Sequence, residues 1–211
     1  MMIRRARATD ADAINEIYNP FIQSSPATFE LTPWTTQERA TWIETGEKQV
    51  DQVAQVGDPV GVLGGDRGRA VDDAPAARRD PRHPVTVAET AGQKITGFAA
   101  AAAFDPRGAY GSSIKTSVFV DPSCHGTGVG SALYSALFEA ITVQSTGQGR
   151  GQGIHGSRGI HRAYGLIVAP NPASEALHER FGFAHIATLS EVGFKFGKFH
   201  DVKWFEKRFC E

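Results

Sequence analysis

The glycine run His125-Gly126-Thr127-Gly128-Val129-Gly130, past the middle of the chain, is the stretch whose residue types most directly suggest chemistry. It follows an apolar, β-branched segment from Ile114 to Val120 that reads as a strand, ended at Asp121-Pro122-Ser123 because Pro122 cannot donate a ladder hydrogen bond. It precedes Ser131 to Ala140, where Leu133, Leu137 and Ile141 recur at helical spacing. A strand, a glycine-rich turn and a helix in that order bring backbone N–H groups close to an anion, with the positive end of the helix behind them. A pyrophosphate is the natural occupant, although such a turn can also be no more than a tight connection. Ser131-Ala132 stands where a Walker loop would carry Lys-Ser/Thr, and the position is too late to open an N-terminal dinucleotide-binding unit. Cys124, beside the turn, lacks a His/Asp partner pattern and reads as a small loop or buried cysteine.

The elements that must position this turn are bounded by composition. With 211 residues, 41% of them hydrophobic and 21% charged, one good core and hence one domain over 1–211 is expected. A net charge of −1 gives no electrostatic reason to expect nucleic acid or a membrane as partner. The start Met1-Met2-Ile3-Arg4-Arg5 is not a signal peptide and no apolar run approaches spanning length, so a cytoplasmic location is expected. Two cysteines, Cys124 and Cys210, make neither a disulfide framework nor a metal cluster, and no metal is expected.

Along the chain, Ile3 to Ala6 reads as a first strand. A helix capped by Thr9 or Asp10 follows, with Ala13, Ile14, Ile17 and Tyr18 on one face and a stop near Pro20. A second helix is expected from Thr36, as its cap, to Glu44. Residues 51–84 and 144–162 are glycine-rich or turn-rich and poor in large apolar side chains, so they read as surface insertions that bury too little to offset ordering entropy. Val85–Ala88 and Ile95–Ala103 form a hairpin, and the small side chains of the second suit close approach by another element or a ligand. Tyr164–Val168 is a strand, Asn171-Pro172-Ala173-Ser174 opens a helix to Arg180, and Gly182 ends it. His185–Glu191 and Val202–Phe209 complete the strands, with Gly193–Lys198 as the loop between them.

The glycine run resembles the (Arg/Gln)-x-x-Gly-x-(Gly/Ala) signature of the GCN5-related N-acetyltransferases (GNAT), with His125 in place of Arg or Gln. The order β-α-α-β-β-β-α-β-α-β-β is similar to that superfamily. Finer matches resemble its phosphinothricin acetyltransferase group: Ala27-Thr28-Phe29-Glu30, Phe104 with Arg107 and Ala109-Tyr110, Ser117-Val118-Phe119-Val120, and Asn171-Pro172-Ala173-Ser174 with Leu177-His178-Glu179-Arg180-Phe181-Gly182-Phe183. The tail, Gly193-Phe194-Lys195 with Asp201-Val202 and Trp204, matches too, so the likeness skips only the two insertions. It implies an α/β fold with a mixed sheet of six to seven strands flanked by about four helices. It also implies transfer of acetyl from acetyl-CoA to the primary amine of a small acceptor such as phosphinothricin or methionine sulfone, and a homodimer.

By the same resemblance, the main chain of Val118, Phe119 and Val120 binds the pantetheine and offers an N–H to the thioester oxygen. His125, Gly126, Thr127, Gly128, Val129, Gly130 and Ser131 hold the pyrophosphate, while Asn171 and Ser174 contact the far end of the cofactor or simply cap a helix. His178 stands where the group serves the leaving thiolate, and a surface histidine is the plain alternative. Arg107 offers a guanidinium fork to a carboxylate, and Phe29 and Tyr110 wall the acceptor pocket.

One residue departs from the group. Its strand glutamate, thought to be the base, is here Lys115, which strand alternation places with Ser117 and Phe119 on one face. A lysine of ordinary pKa, about 10.4, is a cation at pH 7. Burial could make Lys115 basic, Glu30, His178 or water could serve instead, or the ammonium could hold an anionic acceptor. The same departure leaves a second reading, an acyl-CoA-binding sensor without turnover.

Overall fold

The computed structural model describes residues 1–46, 79–146 and 159–209. Seven strands form one sheet: β1 (Met2–Arg5), β2 (Val85–Glu89), β3 (Ile95–Ala103), β4 (Ser113–Val120), β5 (Arg162–Val168), β6 (Ala184–Lys195) and β7 (Lys198–Arg208). Their spatial order is β1-β2-β3-β4-β5-β7-β6. Every neighbouring pair is antiparallel except β4 and β5. Four α-helices, α1 (Ala11–Ser24), α2 (Thr36–Thr45), α3 (Val129–Thr146) and α4 (Pro172–Arg180), fall where the expected order puts them.

The sheet separates two cores. On one side Leu133, Tyr134, Leu137 and Ile141 of α3 pack on Ile114, Ala163, Ile167 and Phe205. On the other, Ile14 and Ile17 of α1 and Ile43 of α2 pack on Val87, Phe98 and Ala100. The small side chains of β3 let α3 approach: a Cβ on Gly97 would stand 3.0 Å from the Leu133 side chain.

The parallel pair is the feature that positions the site. β4 and β5 pair only over Ser113–Thr116 and Arg162–Gly165. Beyond that point β4 stays bonded to β3 as far as Val120, and β5 to β7 as far as Val168. The two strands therefore part like a wedge, leaving Ser117–Val120 with one edge free of a strand partner among the described residues.

Several expected boundaries move. α1 continues through Pro20, because the bond to Glu16 that proline forfeits lies on the exposed side while Ile22, about half a turn on, is buried. The cap of α2 is Thr35 rather than Thr36: the Thr35 hydroxyl accepts from Glu38 N at 3.2 Å and the Glu38 carboxylate accepts from Thr35 N at 2.7 Å. Most of Gly193–Lys198 is strand, and only Phe196-Gly197 turns, with φ of 54° and 74° as a two-residue mirror-image hairpin requires.

Of the two expected insertions, residues 51–78 and 147–158 lie outside the described residues. Their flanks are packed, not loose. Arg79 donates to the carbonyls of Trp42 (2.6 Å) and Ala101 (2.7 Å), and burial holds its pKa down at about 10. α3 runs on to Thr146, Ile160 is buried, and β5 already begins at Arg162.

Candidate active site

A cleft of about 470 Å³ fills the wedge, floored by Thr116 to Val120 and bordered by Leu166 to Val168. The glycine turn closes one end of it. Gly126 and Gly128 have φ of +75° and +88°, values that side chains rarely adopt, and a Cβ on either would meet no atom of the described residues within 4 Å. The turn thus presents bare main chain to open space. The first N–H groups of α3 have no partners within the helix and point the same way. Phosphate oxygens fit this cradle, as does the positive end of α3.

The expected cofactor residues come together here. Val118, Phe119, Val120, His125, Gly126, Gly128, Val129, Gly130, Ser131, Asn171 and Ser174 all line the cleft. Thr127 does not, because its hydroxyl turns back to the Cys124 carbonyl at 2.7 Å. The His125 ring also turns back, with Nε2 3.1 Å from the carbonyl of Val120, so its side chain ties the turn to the strand end. Asn171 caps α4 by accepting from Ser174 N at 3.1 Å while still facing the cleft, which is compatible with both expected roles.

His178 lines the cleft but is held from behind. Nδ1 is 2.8 Å from the Ser174 carbonyl and Nε2 is 3.0 Å from the Tyr134 hydroxyl. A carbonyl only accepts, so Nδ1 carries the proton and Nε2 accepts from Tyr134. Burial lowers the His178 pKa and raises that of Tyr134, which keeps the imidazole neutral and the phenol protonated. The ring packs against Gly165, where a Cβ would come within 2.2 Å of Nε2. It is not a surface histidine. Tyr134 was not among the expected site residues, yet it sits beside Leu133 on the buried stripe of α3, and that position is the signal for it.

The expected acceptor residues are arranged differently, and none of them lines the cleft. Lys115 is exposed, not buried, on the face it shares with Ser117 and Phe119. Arg107, with 71% of its side chain exposed, binds Asp105 through Nε at 2.7 Å and Nη2 at 3.0 Å, and these hydrogen bonds hold the Asp105 pKa down at about 2. Its guanidinium lies 5.0 Å from the Tyr110 ring centroid, and Tyr110 leans on Phe104. Phe29 presses on Gly193, where a Cβ would clash with its ring at 2.1 Å. Glu30 is half-buried near Tyr18, Arg39 and Lys195. Lys195, which sequence reasoning missed, pins this loop by donating to the carbonyls of Ser25 (3.0 Å) and Thr28 (2.7 Å).

Among the described residues no helix is long and apolar enough to cross a membrane, and no group of three or more His, Cys, Asp or Glu side chains could hold a metal ion.

Residues 81–185 match the family model described as "Acetyltransferase (GNAT) domain". Over 207 residues the chain is 31% identical to a phosphinothricin N-acetyltransferase of Streptomyces coelicolor, spanning 98% of this chain and 95% of that one. An N-acetyltransferase structure from Staphylococcus aureus superposes with a TM-score of 0.70 at 29% identity, covering 98% of this chain and 97% of the other. A phosphinothricin acetyltransferase of Sinorhizobium meliloti in complex with acetyl-CoA gives a TM-score of 0.71 at 24% identity, covering 100% and 89%.

Proposed function

The chain belongs to the GNAT acetyltransferase family, in its phosphinothricin acetyltransferase-like group, and we propose that it moves acetyl from acetyl-CoA to the primary amine of a small amino-acid-like acceptor. That it is an N-acetyltransferase follows from the relatives. The cofactor and the acceptor are the finer reading. What carries them is the wedge between β4 and β5 ending on a turn of bare main chain, which suits a long thin ligand with a pyrophosphate at one end. The acetyl-CoA complex of the Sinorhizobium meliloti relative supports the same cofactor.

In this reading the pantetheine lies along Ser117–Val120 and takes up the free edge of β4 like an added strand. A backbone N–H there faces the thioester oxygen and stabilises the charge that grows on it when the amine attacks. The pyrophosphate sits on Gly126–Ser131. His178 serves the departing thiolate. Because it is held neutral, it passes on a proton it has first taken up rather than keeping one in reserve. The acceptor comes from the face that carries Lys115, and Lys115 and Arg107 offer cations to its anionic groups.

We further propose a homodimer. Phe194, Phe196 and Phe199 at the tip of the β6–β7 hairpin are 58%, 54% and 60% exposed, which is more aromatic surface than a free hairpin tip needs. Phe205, further along β7, belongs to the core at 1% exposure. Solution mass measured across protein concentrations tests the idea, and a constant monomer mass removes it.

The test of function is thiol release from acetyl-CoA over a panel of amino acids, phosphinothricin, methionine sulfone and sulfoximine, run beside calorimetry with acetyl-CoA. Turnover on at least one amine is expected. Acetyl-CoA binding with no turnover on any amine would return the chain to the sensor reading, on which the comparisons bestow no support.

A further inference from the structure

Position 115 lacks the carboxylate that the group uses, but the register of the sheet places another on the same row. Lys115 of β4 pairs with Tyr164 of β5, and Tyr164 pairs with Glu206 of β7. Paired residues point to the same face, so Lys115, Tyr164 and Glu206 stand side by side on the face opposite α3 and α4. Strands lie about 4.8 Å apart, which puts the Glu206 backbone about 10 Å from that of Lys115, within reach of a glutamate side chain and one water. The next row on this face is Leu166 and Trp204, just where β4 and β5 part. Glu206 therefore stands one row below the mouth of the wedge.

Its carboxylate is held and also available. The Tyr164 hydroxyl donates to Oε1 at 3.0 Å, and Arg162 Nε lies 3.1 Å from the same oxygen. Oε2 has no hydrogen bond among the described residues, and the side chain is 29% exposed. The other carboxylates near this face are less free. Both oxygens of Asp105 are taken by Arg107, and Glu30 lies in the loop beside Arg39 and Lys195. His178 lies behind the sheet.

We infer that Glu206 is the catalytic base of the acetyl transfer, acting on the acceptor amine directly or through one water; this rests on the amine-acetylation reading above. The acceptor ammonium gives one proton to the Glu206 carboxylate. The freed amine forms the C–N bond to the thioester carbonyl carbon, and the C–S bond breaks. The second proton lost from nitrogen ends on the thiolate, giving the free thiol. Glu206 then releases its proton to solvent, so each turnover yields one amide, one thiol and one proton. The charged and titratable groups facing Glu206 are Arg162 and Tyr164 from β5, Arg208 along β7 and Lys115 across β5, with Asp105 and Arg107 on the adjoining loop; β6 brings only Ala184 opposite it.

The test is Glu206→Gln, which keeps an oxygen for Tyr164, with acetyl-CoA affinity and melting measured on the same sample. We expect kcat on an ordinary charged amine to fall about 100-fold at pH 7 with the acetyl-CoA Kd unchanged. On an aminooxy analogue of that acceptor, which is already neutral at pH 7, the loss should shrink to about threefold, since no first deprotonation is needed. Glu206→Asp should fall between the two. A kcat for Glu206→Gln close to the parent's, or an equal loss on both nucleophiles, would overturn the assignment. Absence of turnover by the parent protein on every amine would instead bring down the amine-acetylation reading, and the role of Glu206 with it.

Discussion

Behind the sheet, where α3 and α4 pack, the site is made of main chain and of buried side chains that hold one another. In front of it, charged side chains stand partly in solvent and pair with near neighbours. His178 is 3% exposed and bonded at both ring nitrogens, whereas Arg107 is 71% exposed and reaches only its own loop. In the proposed reading the rigid, backbone-built half takes the cofactor. The half built of exposed side chains takes the acceptor in that reading, and such side chains can change at little cost to the fold.

That contrast can be broken most severely at β5, where successive residues face the two halves. Gly165→Ala would drive a Cβ into His178, and overpacking of this kind costs about 1–3 kcal/mol. Its neighbour Leu166 is 42% exposed on the other face, and Leu166→Ala should cost less than about 0.5 kcal/mol. Denaturant unfolding of the two variants measures both. Equal losses would mean that the two faces are not built differently.

Tyr134→Phe is the next largest effect. It leaves His178 Nε2 buried without its donor, which costs about 1–2 kcal/mol, and it should lower kcat more than it changes KM. A variant as stable as the parent would show that the bond holds nothing.

A smaller effect is set by pH. Burial lowers the His178 pKa, so the unfolded chain takes up that proton first as pH falls below about 6.5. Stability is then unaffected above about pH 6.5 and declines below it, until the folded-state pKa is passed. His83 is lowered for the same reason and adds to the decline in the same direction. Urea midpoints at pH 7.5 and pH 5.5 should therefore separate, and His178→Gln should narrow the gap. A gap unchanged by that substitution would place the acid sensitivity elsewhere.

Smallest in stability is Lys115→Glu, expected within about 0.5 kcal/mol of the parent because the side chain is exposed. Its effect is on choice: rates on acceptors with an anionic side group should fall and those on neutral ones rise. Unchanged preference would put Lys115 outside the acceptor site.

The same contrast explains what the sequence made legible. Main-chain geometry leaves a strong trace, since glycines at positive φ and a proline after a strand have few substitutes; the turn, the wedge strand and the order of elements could all be read. Gly165 left no such trace, because the reason for it is a histidine ring supplied from α4. Tyr134 and Lys195 were missed likewise, as their partners lie 44 and 170 residues away along the chain. Thr35 was passed over for Thr36 because two adjacent threonines offer the same cap and only the reach to Glu38 decides. Pro20 was read as a stop, since its exposure on the helix cannot be known before the helix is placed. Glu206 could not be singled out until the register set it beside Lys115.

The most direct measurement is a calorimetric titration of acetyl-CoA into Gly128→Val and Lys115→Glu in parallel with the parent. Val at a φ of +88° strains the turn and fills the open side of the cradle. Gly128→Val, still folded by its unfolding transition, should bind at least about 100-fold more weakly, a loss of roughly 2.7 kcal/mol, while Lys115→Glu should bind as the parent does. Full affinity in a folded Gly128→Val protein would contradict the claim that this turn holds the cofactor.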